Sequence, residues 1–127
     1  MSEVKSFEDL KCWQVCTELR RFVSQLLKTF PKHEQYVLVS QMRRSSRSST
    51  DNIAEGYGRF HFKENIQFCR QARGSLYELA NQFIIAVDEA YITQEEYSKG
   101  KDLIYQKALP ILNGYINYLQ RAANKPN

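Results

Sequence analysis

Apolar side chains recur along this chain in steps of three and four residues, the spacing that places them on one face of a helix. The longest run extends from Phe62 to Ala90, and another runs from Cys12 to Phe30. A third runs from Tyr97 through Ile111 and Tyr115 to Tyr118, and it follows the sequence Thr93-Gln94-Glu95-Glu96, which is typical of a capping box at a helix start. These runs predict helices over about 8–29, 62–91 and 94–122. Pro110 should kink the last of them, because proline donates no backbone hydrogen bond.

A further helix is predicted over about 34–57, but its pattern is weaker. Three of its six inward positions are small, namely Ser45, Ser49 and Gly56. The segment 45–51 could instead form a loop, because Ser, Thr and Asp side chains compete with the helical backbone for hydrogen bonds. A continuous helix is the favoured interpretation, with Gly56 and Gly58 supplying the left-handed backbone that ends it.

Four amphipathic helices with short connections predict an all-α fold in one domain that spans residues 1–127. A chain of 127 residues can bury one core but not two. Pro31 ends the first helix and leaves a short connection, and short connections join antiparallel neighbours. The expected architecture is therefore an antiparallel, up-and-down four-helix bundle.

The composition indicates a soluble protein without catalytic machinery. No apolar run is long enough for a membrane span and the first residues do not resemble a secretion signal, so we expect a cytoplasmic protein. The three cysteines should be buried free thiols. Cys12 and Cys16 could share a helix face as zinc ligands, but neither histidine has complementary spacing. We predict no enzymatic activity, no catalytic residue, no metal and no cofactor, since no nucleophile, metal or phosphate-loop motif occurs.

The charge is unevenly distributed, and this favours an anionic partner. The net charge is +4, but residues 19–73 alone carry 11 basic and 4 acidic side chains. Arg43, Arg44 and Arg47 should point outward together from the second helix, as a contact for phosphates would require. Other basic candidates for this surface are Arg20, Arg21, Lys63 and Arg70, with Tyr57, Phe60 and Phe62 as possible stacking surfaces.

Two alternatives involve ion pairs within the chain. The outward arginines could form an ordinary solvated face, paired with Asp51, Glu55 and Glu64. Arg73 lies at the edge of the third apolar stripe, where an arginine usually needs a partner. An ion pair from Arg73 to Glu55 or Glu78 is favoured over a phosphate contact.

Several stretches resemble the 23S rRNA intervening-sequence protein family, also called four-helix bundle proteins. They are Phe7-Glu8-Asp9-Leu10 with Trp13, Gln41 followed by Arg43-Arg44, Asn52-Ile53-Ala54-Glu55-Gly56 followed by Gly58-Arg59, and Ala72-Arg73-Gly74-Ser75 followed by Leu76 and Glu78-Leu79. The chain departs from the family pattern after the double arginine, where an apolar stretch is usual and serines with Arg47 stand here. Structural or interface roles are expected for the matched residues Trp13, Asn52, Glu55, Gly56, Arg73 and Gly74.

The resemblance implies a left-handed bundle that assembles into a five-fold, ring-shaped homo-oligomer, without enzymatic activity. Genes of this family are often found within insertions in ribosomal RNA genes, and a similar bundle serves as the nucleic-acid-binding accessory subunit of retroelement reverse transcriptases; the resemblance therefore implies RNA or RNA–protein binding. The expected partners are further copies of this chain and structured RNA or DNA, with a reverse transcriptase-like or ribosome-associated protein as another possibility. The alternative is a protein–protein scaffold whose arginines pair with acids across subunits, and a small-molecule enzyme ranks third.

Overall fold

Residues 3–125 are described by a computed structural model, and within them helices are joined by short connections without any β-strand. The all-α prediction is confirmed. The helices are α1 (Lys11–Leu27), α2 (Leu38–Gly58), α3 (Phe62–Asp88), α4 (Gln94–Asp102) and α5 (Leu109–Ala123). A π-helical segment, Leu103–Ala108, joins α4 to α5, so that the three pieces form one long fourth helix.

The first two helices begin later than predicted, because a short 3-10 turn precedes each of them. Phe7–Asp9 forms one turn, capped by Ser6, whose hydroxyl accepts a hydrogen bond from the Glu8 backbone amide. The next residue, Leu10, is extended, so α1 starts only at Lys11 and ends at Leu27. Lys32–Glu34 forms the second turn, and the predicted start at residue 34 is therefore wrong by four positions.

The serine-rich segment is helical, which confirms the continuous second helix and excludes the loop alternative. Its hydroxyls turn back onto the carbonyls of their own helix, as in the bond from Ser49 to the Ser46 carbonyl at 2.7 Å. Thr50 bonds the Arg47 carbonyl in the same way, at 2.9 Å. Buried hydroxyl groups need such partners, since an unpaired one would lose its hydrogen bonds to water without compensation.

The third helix begins at Phe62 as predicted, but the way in which α2 ends and the position at which α3 ends differ from the prediction. Neither Gly56 nor Gly58 adopts a left-handed conformation; instead Phe60 does so, with φ 59°, after α2 has ended. The same conformation occurs at Ala90, with φ 61°, and α3 stops at Asp88 instead of residue 91. Each of these residues takes a backbone conformation that glycine adopts at lower cost.

The fourth helix carries a distortion next to Pro110, in the region predicted to kink. The π-helical segment ends two residues before this proline, which cannot donate the hydrogen bond that an α-helix would require there. A π turn holds more residues than an α turn, so the side chains after it are rotated. As a result the buried residues are Leu112, Ile116 and Leu119, each one position later than the predicted Ile111, Tyr115 and Tyr118.

Helices α2 and α3 form the closest packed pair of the core. They run antiparallel, since Ser45 bonds Gln82 near one end and Gly56 lies against Asn65 near the other. A methyl group at Gly56 would lie 2.9 Å from the Phe68 Cβ, so this glycine allows the close approach of the two helices. The predicted inward stripes of α1 and α2 are buried throughout, whereas Phe62 and Ala90 at the ends of the third stripe are exposed.

Candidate nucleic-acid interface

Three arginines of α2 line one shallow depression on the surface. Arg43, Arg44 and Arg47 project from the face opposite Met42 and Ser49, which are fully buried. Arg44 and Arg47 are exposed and Arg43 is half-buried. The depression has a volume of about 390 Å³, and its wall is completed by Ser40, Ser48 and Asp51. We call this site the arginine depression.

The guanidinium groups of the arginine depression form no salt bridge with any acid in residues 3–125. The acids proposed as their partners are engaged elsewhere, since Glu55 and Glu64 both contact Arg59, at 3.2 and 3.8 Å. Asp51 lines the depression but lies beyond salt-bridge distance from each arginine. The alternative in which these arginines pair with Asp51, Glu55 and Glu64 is therefore not found in residues 3–125, and three cationic groups face solvent together.

The other basic candidates do not join this depression. Lys63 and Arg70 are exposed on α3 and line a separate depression beside the end of α5. Arg20 is half-buried and Arg21 is exposed, both on α1. The site residues therefore divide into one compact group on α2 and two dispersed pairs on other helices.

A hydrogen-bonded group fixes the arginine depression against α3. Ser48, which lines the depression, contacts the Ser75 hydroxyl across the helix pair at 2.9 Å. The Asn52 amide donates to the carbonyl and to the hydroxyl of Ser48, both at 2.9 Å. Asn52, one of the matched family residues, therefore holds part of the wall of the depression in place.

Arg73 has a different partner from the one predicted. Its Nη1 donates a hydrogen bond to the Asn113 side-chain oxygen at 2.9 Å, which links α3 to α5. No salt bridge to Glu55 or Glu78 exists among the described residues. The sequence showed that this half-buried arginine needs a partner, but an uncharged amide meets that need without the cost of burying a carboxylate.

Two other matched residues have contrasting surroundings. Trp13 is half-buried and packs edge-on against Phe7, with ring centroids 5.4 Å apart. Gly74 is exposed, and a methyl group added there would meet nothing within 4 Å. The packing within the described chain therefore accounts for Trp13 and gives no reason for the glycine at position 74.

The cysteines lie in the core as free thiols. Burial raises the pKa of Cys16 to about 11 and that of Cys69 to about 12, and it raises the pKa of Cys12 further. Thiols held in the neutral form are poor nucleophiles and poor metal ligands. Residues 3–125 contain no group of three or more His, Cys, Asp or Glu side chains arranged to hold a metal ion. The same residues contain no helix long and apolar enough to cross a membrane.

Sequence reasoning missed a cavity at the end of the bundle where α2 passes into α3. Its volume is about 490 Å³, and aromatic side chains dominate its walls: Tyr57, Phe60, Phe62, Tyr115 and Tyr118. Asn65 lies in the same wall and donates to the Tyr115 hydroxyl at 3.0 Å. The helical pattern predicts that Tyr115 and Tyr118 face the core, but the π-helical segment turns them toward this site. We call it the aromatic cavity.

Comparison with known sequences agrees with the resemblance described above. The sequence model of the 23S rRNA-intervening sequence protein family matches residues 8–114. No curated protein sequence matches the chain. The matched range includes all of α1, α2 and α3 and the first part of the fourth helix. This chain therefore belongs to the 23S rRNA-intervening sequence protein family.

Proposed function

We propose that this protein is a non-enzymatic, ring-forming binding protein that contacts structured RNA or DNA through the arginine depression. The observation that supports this most directly is the set of three adjacent guanidinium groups without an acidic partner in residues 3–125. Guanidinium groups bind phosphate oxygens in a planar, two-point geometry, and each such contact releases a counterion from the nucleic acid.

Rigidity supports the same proposal. The arginines extend from a helix whose opposite face is fully buried, and the Ser48 hydroxyl, to which Asn52 of the same helix donates, contacts Ser75 of α3. A site on a packed helix needs no ordering of its backbone on binding, so the ordering cost is limited to the arginine side chains. The left-handed bundle topology and a five-membered ring of such subunits belong to this proposal as well. A ring would repeat the depression around its axis and strengthen binding through multivalency.

The test is binding to a labelled RNA hairpin and to duplex DNA across a salt series, with the oligomer mass measured in parallel. We expect micromolar or tighter binding that weakens steeply as salt rises. The slope of log K against log salt is negative. Replacement of Arg43, Arg44 and Arg47 by alanine should reduce its magnitude by about 2 to 3, since about one counterion is released per phosphate contact.

The matched control removes the same charge from exposed positions of the fourth helix and of the segment that follows it, through Lys101→Ala, Arg121→Ala and Lys125→Ala. This variant should keep most of the affinity if the arginine depression is the site, because only the diffuse charge has changed. Equal losses in the two variants would contradict a localised site. No binding by the intact wild-type oligomer would contradict the proposal altogether.

The second candidate is a protein–protein scaffold without a nucleic-acid role. It is favoured by exposed apolar side chains on α3 and the π-helical segment, where the Tyr77 and Tyr105 rings lie 6.2 Å apart and Ile84 is 45% exposed. Asp51 beside the arginines would also suit pairing between subunits. In this case the triple alanine variant would dissociate the oligomer, whereas under the leading proposal the oligomer persists and only the nucleic acid is lost.

A further inference from the structure

The aromatic cavity contains an exposed ring that the fold does not need. Phe60 is 84% exposed, and its backbone adopts φ 59°. An exposed phenylalanine contributes little to folding, and a left-handed conformation is unfavourable for any residue with a Cβ atom. Phe60 therefore combines an exposed apolar ring with an unfavourable backbone conformation. A glycine at this position would end α2 with less strain. Such an outlier points to a role outside the packing of the chain.

The neighbouring walls present further ring faces to solvent. Phe62 is 48% exposed and Tyr118 is 55% exposed, and the Tyr118 ring is stacked with that of Tyr115 at an interplanar angle of 12°. The cavity volume of about 490 Å³ is in the range of small-ligand sites. Its shape and lining therefore suit a flat, aromatic group.

The polar groups of the cavity narrow the choice of ligand. No carboxylate is among its lining residues, so an organic cation would find aromatic faces but no counter-charge. His61, Asn65 and the tyrosine hydroxyls supply hydrogen-bond donors and acceptors at the walls. A nucleobase has a π face, which can stack on the aromatic rings of the cavity, and polar edges, which can bond to its polar groups.

The position of the cavity relative to the arginine depression supports the same ligand. Tyr57 and Arg47 are both on α2, about 15 Å apart along its axis at a rise of about 1.5 Å per residue. A strand held by its phosphates at the arginines can therefore reach the cavity within a few nucleotides. We propose that the aromatic cavity receives an unpaired nucleobase of a bound RNA, by stacking on Phe60 and Tyr118; this inference rests on the proposed function.

The experiment compares two RNA hairpins, one with a single bulged base and one fully paired. The bulged base is 2-aminopurine, whose fluorescence falls when it stacks on an aromatic ring. The wild-type protein should bind the bulged hairpin about tenfold more tightly than the paired one, a typical contribution of one stacked base, and should quench its fluorescence. Phe60→Gly should abolish the preference and the quenching, with affinity for the paired hairpin unchanged.

Protein stability separates a binding role from a structural one. Phe60→Gly removes the ring together with the left-handed strain, so the melting temperature should stay the same or rise. Ala90→Gly is the matched control, since it makes the same backbone change at the other end of α3, outside the cavity. It should raise the melting temperature and leave binding of both hairpins unchanged. Tyr118→Ala removes the second stacking ring, and it should also abolish the preference for the bulged hairpin.

Each failure has a distinct meaning. Equal binding of both hairpins by the wild type, or an unchanged preference in Phe60→Gly, overturns the nucleobase site while the arginine proposal stands. A Phe60→Gly variant that loses its oligomer but keeps the preference would place Phe60 at a contact between subunits, which also overturns the nucleobase site. No binding to either hairpin overturns both proposals.

Discussion

Replacing Gly56 or Gly74 by alanine should change stability in opposite directions. Both glycines lie within helices, where alanine is favoured over glycine by about 1 kcal/mol. At Gly74 a methyl group meets nothing within 4 Å, so the whole of this gain should be observed. At Gly56 the methyl group would lie 2.7 Å from the Asn65 Oδ1 and 2.9 Å from the Phe68 Cβ.

The contacts at Gly56 cannot relax through a side-chain rotation alone. The Phe68 Cβ is fixed to the backbone of α3, and Asn65 is held by its bond to the Tyr115 hydroxyl. The two helices must therefore separate, and overpacking of this kind costs about 1–3 kcal/mol. After the helical gain of about 1 kcal/mol is subtracted, Gly56→Ala should lower the free energy of unfolding by about 1 kcal/mol, and by at most about 2 kcal/mol.

Thermal and urea unfolding of the two variants and the wild type measure this difference. For a chain of this size about 1 kcal/mol corresponds to a shift of about 3–5 °C in melting temperature, upward for Gly74→Ala and downward for Gly56→Ala. Equal shifts of the same sign would refute the packing argument. A stabilised Gly74→Ala subunit with a weakened oligomer would place that glycine at a subunit contact, as the family resemblance suggests.

Two further predictions concern the core and the link between α3 and α5. Because burial raises the thiol pKa values, with Cys16 at about 11 and Cys69 at about 12, the neutral thiols contribute stability below pH 9 that is lost as the pH rises toward 12. A thiol reagent at pH 8 should accordingly modify the protein only upon unfolding, and rapid labelling of the native protein would contradict this. Arg73→Leu should lower the free energy of unfolding by about 1 kcal/mol, and Asn113→Ala by a similar amount. The double variant should lose little more than either single one in urea unfolding, whereas additive losses would exclude the bond as their cause.

The sequence predicted the helices well where their pattern is governed by burial. The stripes of α1 and α2 are buried as expected, including the small residues Ser45 and Ser49. The residues at which the helices begin and end were harder to predict from the sequence. Phe60 and Ala90 adopt the left-handed conformation, although no propensity argument favours Phe60 over the nearby Gly58, and alanine is not a residue that this conformation favours. The 3-10 turns at Phe7–Asp9 and Lys32–Glu34 share residues with plausible helix starts, so only their geometry distinguishes them.

The largest error came from the fourth helix and affected the candidate site. An α-helical register assumed throughout assigns Tyr115 and Tyr118 to the core, whereas the π-helical segment turns Tyr118 out to 55% exposure. Pro110 signalled a disturbance, but the sequence did not give its form. The arginine cluster was found because helical spacing alone fixes its direction. The sequence did not predict Asn113 as the partner of Arg73, because an uncharged amide on another helix does not contribute to the charge pattern.

The two faces of helix α2 differ in chemistry, since one carries buried hydroxyl groups and the other carries arginines. Its inward face carries hydroxyl groups where larger apolar groups would be expected, and these bond to the carbonyls of their own helix and to Gln82. Its outward face carries the three arginines of the arginine depression, which form no salt bridge in residues 3–125. Because no such pair is lost when the arginines are replaced, the triple alanine variant should fold as the wild type does. A loss of nucleic-acid binding in that variant, with unchanged unfolding and oligomer mass, would then be attributable to the missing charges alone.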